Sequence, residues 1–170
     1  MTQNDPILVD TTTKGHYYCA SEGDTMIHTL DAFTRGYLDA ALWSSTAYGS
    51  PEEQAADPTH KGTFDRSFQD CGYDVDNLAP ETLAQAVEDC RAFQADHAAD
   101  LGKAADLRSF NRAHGTIDEH LGHDFWLSRN GHGAGFFDRG SDPVWDRLQE
   151  AARVWGTVDL YIGDDGKIHG

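Results

Sequence analysis

At 170 residues the chain is about one domain long, and a domain of that size buries roughly two-thirds of the surface its unfolded chain exposes. Neither disulfides nor a structural metal is needed to make it fold. The 29 acidic residues against 13 lysines and arginines leave a formal charge of −16, which excludes a protein that itself grips nucleic acid or an anionic membrane, because both need cations to meet phosphate.

No apolar run approaches the ~20 residues of a membrane-crossing helix. The first residues show no positive region followed by an apolar stretch, so no secretory signal is expected. Cys19, Cys71 and Cys90 are odd in number and lack CxxC spacing, which suits a reducing, cytoplasmic setting.

Residues 1–28 are mixed in character and read as an irregular N-terminal arm preceding a single domain over 29–170. The helical period starts at Leu30, with Phe33, Tyr37, Ala40 and Ala41 on one face and a stop near Ser44 and Ser45. Residues 45–79, with Gly49, Pro51, Pro58 and Gly62 among acids, read as a long acidic surface loop. Pro80 suits the first turn of a second helix, whose buried side carries Leu83, Ala86, Val87, Cys90, Phe93, His97 and Leu101. On its other side lie Glu81, Glu88, Asp89, Asp96 and Asp100. A helical pattern continues through Leu107 toward Gly115, and Thr116 with Glu119 forms a capping-box signature for a short helix toward Leu121.

The residues from Asp124 to Arg129 alternate in polarity, and Asn130-Gly131 is a strong hairpin-turn signal. A hairpin centred there places Arg129 opposite His132 and His123 opposite Asp138. Asp142 and Pro143 open a third long helix with Val144, Trp145, Leu148, Ala152 and Trp155 on its buried stripe, ended by Gly156. Val158, Leu160 and Ile162 alternate as a strand that turns at Asp165-Gly166 and returns at Ile168. The expected fold is therefore α+β, with helices in the N-terminal two-thirds packed on a small antiparallel sheet of two C-terminal hairpins flanking a helix.

The densest chemical cluster is the tip of the first hairpin. Its glycines allow close backbone approach to a ligand, and Arg129, Asn130, Gly131, His132 and Gly133 are the candidate ligand-binding residues for an anion or nucleotide. His123, His132 and Asp138 are the candidate acid–base groups. His120 and His123, three apart, are the candidate metal ligands, although the spacing matches no established signature and no metal or other cofactor is expected. No serine lies in a nucleophile elbow, and Cys90 falls on an apolar stripe where a thiol is inert. The acid excess is uneven: residues 51–106 hold 13 acids and 4 bases. The acidic residues Glu81, Glu88, Asp89, Asp96 and Asp100 are accordingly the candidate partner-binding set, presenting carboxylates to a basic protein and imitating the phosphates of DNA.

Three segments carry a resemblance: Ala41-Leu42-Trp43-Ser44-Ser45, the long run from Gly122 through Arg139 (GHDFWLSRNGHGAGFFDR), and the run from Asp159 through Ile168 (DLYIGDDGKI). In these the chain resembles a family of small uncharacterised proteins encoded by bacteriophages, prophages and related mobile elements, over roughly residue 36 to the C-terminus. Residues 102–119 look like an insertion relative to that pattern. The resemblance implies an origin in such an element and carries no reaction and no functional residue, and the setting expected for it is a host cell's cytoplasm. Together with the acidity it points to an accessory protein that binds and inhibits a host protein, such as a nucleic-acid-binding defence component (an anti-CRISPR or anti-restriction role). The alternative is a small enzyme or nucleotide-binding protein with its site at the Arg129–Gly135 tip.

Overall fold

Asp31 opens the first helix by accepting the Thr34 backbone N–H at 3.0 Å and its hydroxyl at 2.6 Å, which satisfies one of the donors a helix start leaves unpaired. That helix, α1 (Ala32–Ser44), is followed by α2 (Pro80–Asp96), α3 (Ala98–Leu107), α4 (Ile117–Asn130) and α5 (Pro143–Arg153). A two-stranded antiparallel sheet, β1 (Tyr161–Ile162) and β2 (Ile168–His169), completes the described elements, with Tyr161 opposite His169 and Ile162 opposite Ile168. This computed structural model describes residues 29–47, 66–109 and 115–170. The arm expected at 1–28 and residues 48–65 of the expected loop lie outside them. The described chain is mostly helical with a small antiparallel sheet at its C-terminal end, and no described helix is long and apolar enough to cross a membrane.

α1 and α4 cross at backbone distance. A methyl group on Gly36 would fall on the carbonyl of Glu119, and one on Gly122 would fall on the carbonyl of Phe33. Two side-chain-free positions thus let the helices approach more closely than the usual 8–10 Å between axes would require. Around that crossing the aromatic core forms. Phe93 of α2 stacks on Phe125 of α4 with ring centroids 3.9 Å apart, and Tyr37 meets Trp126 edge-on at 5.1 Å. Trp126 also finds a polar partner for its indole, donating to the Ser44 hydroxyl at 2.9 Å, as a buried tryptophan usually must.

Three expectations change. The segment 124–130 is not a strand and Asn130-Gly131 is not a hairpin turn: α4 runs from its capping box at Thr116 and Glu119 through Asn130. Gly131 then adopts the left-handed conformation (φ 68°), and the His132 N–H reaches back to the Leu127 carbonyl at 3.1 Å. That is the glycine-terminated helix end, a second use of the same dipeptide. The described sheet is accordingly one hairpin rather than two.

The loop expected at 45–79 is also not wholly a surface segment. Residues 66–79 bury Phe68, Val75 and Leu78 in the core, and Ser67 bridges Thr46. Finally, the helix expected through 107 is broken at His97, whose ring rests 4.8 Å from Phe93, and the stretch read as an insertion contributes the end of α3.

The crossing gives a paired test. Gly122→Ala should destabilise the fold by about 3 kcal/mol or more, because backbone cannot move aside as a flexible side chain can. Gly102→Ala, at an open position within α3 with nothing in reach of the added methyl, should stabilise it by about 0.5–1 kcal/mol. Urea denaturation of both variants measures the two shifts.

Candidate functional site

Arg129 lies on the inward face of α4 and is only 6 % exposed. Its Nη1 donates to the Tyr37 hydroxyl at 2.7 Å and to Asp89 Oδ2 at 2.8 Å. Its Nε and Nη2 donate to the carbonyls of Gly156 at 2.9 Å and Trp155 at 3.1 Å. The guanidinium also lies 5.9 Å from the Tyr37 ring centre and 5.8 Å from that of Phe125. The planar fork therefore joins α1, α2, α4 and the chain after α5, a task that lysine's point charge does not match. With four of its N–H donors engaged inside the chain and the side chain buried, Arg129 does not stand at an open tip as expected.

The rest of the expected tip is also structural or dispersed. Asn130 caps inward, donating to the Trp126 carbonyl at 3.0 Å and accepting the Val158 N–H at 2.8 Å. Gly131 and Gly133 take positive φ, of 68° and 70°, in an exposed chain reversal. His132 is exposed beside them. Farther on, the Phe136 N–H donates to the Ser128 hydroxyl at 2.9 Å, folding the reversal back onto α4.

The expected pairing of His123 with Asp138 across a hairpin is replaced by separate contacts. His123 packs against Trp43, ring centres 5.6 Å apart, and Asp138 accepts the Gly135 N–H at 3.3 Å. His120 and His123 share α4, yet among the described residues no group of three or more candidate ligands is positioned to hold a metal ion.

A second buried ionic centre was not anticipated. Asp124, fully buried on α4, receives Arg108 on Oδ2 and Arg139 on Oδ1, the latter through Nε at 3.0 Å and Nη2 at 2.5 Å. Burial pushes the Asp124 carboxyl up and the Arg108 guanidinium down from their ordinary values. Each charge is thus costly to bury and depends on the other, so the cluster orients the end of α3 and the segment before α5 rather than adding much net stability. Arg139 is shared with Asp138 at 3.5 Å, which leaves no surplus positive charge between the two arginines and the two aspartates. No periodic pattern marks Asp124; a charged residue on the apolar face of α4, visible once 117–130 is drawn as a helix, is the signal that would have found it.

The candidate acidic face also divides. Asp89 is buried in the Arg129 clamp and accepts Gln85 at 2.7 Å, so it is not a partner-binding group. Glu88 is paired with Arg91 at 2.8 Å, Asp100 with Arg147, and Glu81 lies 3.4 Å from His169. Asp96 is exposed.

Cations are engaged throughout the described chain. Besides those named, Arg35 pairs with Glu119, Lys103 with Asp142 and Arg153 with Glu150. Arg66 and Lys167 donate to the backbone carbonyls of Asp70 and Asp76. Cys90 is fully buried, its thiol pushed far up by burial, and acts as core.

No protein family, curated protein or solved structure matches the chain.

Two tests follow. Arg129→Lys should cost about 3 kcal/mol of stability, since it leaves Asp89 and two carbonyls without their fork, with Asp89→Asn similar; chemical denaturation measures both. Burial lowers His120 and His123 below the usual histidine value. The unfolded chain then takes up protons first as pH falls through about 6.5, and stability declines over that window. Denaturation midpoints at pH 7.5 and 5.5 should show that decline in the wild type and a smaller one in His123→Gln.

Proposed function

We propose that this chain is a binding protein, an accessory factor of a phage or related mobile element that holds and inhibits a basic host protein. One observation carries the reading. Every described lysine and arginine donates to an acceptor within the chain, while Asp96, Asp106, Asp118, Asp146, Asp159 and Asp164 are exposed and paired with no described lysine or arginine. The described residues thus offer their surroundings uncompensated negative charge, and their cations are matched to acceptors within the chain. Such a surface repels nucleic acid and attracts proteins built to hold it, and like-charge contacts suppress other partners. A nucleic-acid-binding defence component is the host partner of that kind, and the phage-like segments supply the setting. Arg129, the anion-holding group of the alternative nucleotide site, is buried and engaged, which weighs against that alternative.

The test is capture from host lysate on the tagged protein over a salt series. A stoichiometric basic partner should bind at low salt and leave as the ionic strength rises past about 0.1 M, where exposed charges are screened beyond ~10 Å. Replacing Asp96, Asp106, Asp146 and Asp159 by Asn should weaken capture at least about tenfold with the fold intact by circular dichroism. Equal capture by that variant, or the absence of a salt-sensitive partner, defeats the reading.

A further inference from the structure

Beneath the α1–α4 crossing lies a cavity of about 60 Å³ that the binding surface does not use. Its walls come from α1 (Tyr37, Ala41, Leu42), α2 (Thr82, Ala86), Trp126 of α4 and the C-terminal segment at Val158 and Leu160. Most of that lining is hydrocarbon or aromatic ring. On this measure a cavity admits a water molecule from about 10–15 Å³, and the water needs two to four polar partners to remain there. This cavity exceeds that size and does not provide those partners.

The polar side chains at its edge are hydrogen-bonded, with one exception, and the backbone of Gly170 also lies there. Gln85 donates to Asp89, Asp89 accepts Arg129, and the Tyr37 hydroxyl accepts Arg129 as well. Thr82, in the first turn of α2, is 8 % exposed, and its hydroxyl oxygen is buried with no hydrogen-bond partner. Buried polar atoms are nearly always paired, so an orphan beside an open volume calls for an occupant. The apolar wall holds a hydrocarbon body, and one hydroxyl serves one polar atom. A charged ligand is disfavoured, because a lone hydroxyl does not offset the desolvation of an ion.

We propose that this cavity is a binding site for a small neutral amphiphile, a molecule with a short hydrocarbon body and a single hydroxyl or carbonyl. The polar atom hydrogen-bonds Thr82 Oγ1 and the body packs against Trp126, Ala86 and Leu160.

The experiment titrates the full chain with 1-butanol and, separately, with pentane, following the Trp126 indole N–H and the backbone amides of Ala86 and Leu160 by nuclear magnetic resonance. Saturable shifts confined to those groups are expected for butanol. Thr82→Val, which keeps the shape and removes the hydroxyl, should weaken butanol about tenfold, equivalent to about 1.4 kcal/mol, and leave pentane unchanged. Ala86→Leu should fill the space and abolish both. Shifts that grow linearly without saturating, or none, show a cavity that takes no amphiphile and overturn the proposal. So does undiminished butanol affinity in Thr82→Val, an outcome that does not depend on whether Ala86→Leu folds.

Discussion

The contact between the backbones of α1 and α4 at Gly36 and Gly122 sets the geometry of everything else. With any side chain at either place the helices would stand apart, and the interlocking of Phe33, Tyr37, Phe93, Phe125 and Trp126 would open. The position of α4 in turn decides where its two inward charges lie. Arg129 meets Tyr37 and Asp89 because α1 and α2 are held within reach of its fork, and Asp124 meets Arg108 and Arg139 on another side of the same helix. A close helix crossing at the centre is thus converted into two fixed ionic centres at its margins.

Those centres matter more for arrangement than for strength. Apolar replacements of buried ion clusters are often as stable as the originals, whereas removing one partner is severe. Here the partners come from different elements: Arg108 follows α3, Arg139 precedes α5, Asp89 belongs to α2. An alternative packing of these helices would leave at least one charge buried and unmatched. The same clusters draw Arg108, Arg129 and Arg139 inward, while Arg91, Arg147 and Arg153 stay at the surface in ion pairs with neighbouring carboxylates.

Helix starts were readable from the chain because they rest on local chemistry. Asp31 lies just before α1, Pro80 opens α2, the Thr116–Glu119 box opens α4 and Asp142-Pro143 opens α5, each within a residue or two of expectation. The C-terminal hairpin at Asp165-Gly166 was equally local. What failed was Asn130-Gly131, since an Asn-Gly pair serves a hairpin and, through its left-handed glycine alone, a helix end. The choice between them was made by the distant α1 face, which rewards Leu121, Gly122 and Phe125 on one side of a helix. The candidate site followed that error: Arg129 had the right chemistry for an anion, and only the tertiary placement of Tyr37, Asp89 and two carbonyls shows it already occupied. The unpaired hydroxyl of Thr82 had no sequence signature at all, because an orphan is defined by what surrounds it.

The segment after α5 is attached both by its buried side chains, Leu160 and Ile168 among them, and through its main chain. Arg129 holds the carbonyls of Trp155 and Gly156, Asn130 holds the Val158 N–H, and Ile168 gives its carbonyl to the N–H of Ala79. Its path is therefore written into α4 and the start of α2 as well as into its own side chains. Residue 157 is exposed and its side chain takes no part in that attachment, so it is free to drift in composition without altering the route of the chain.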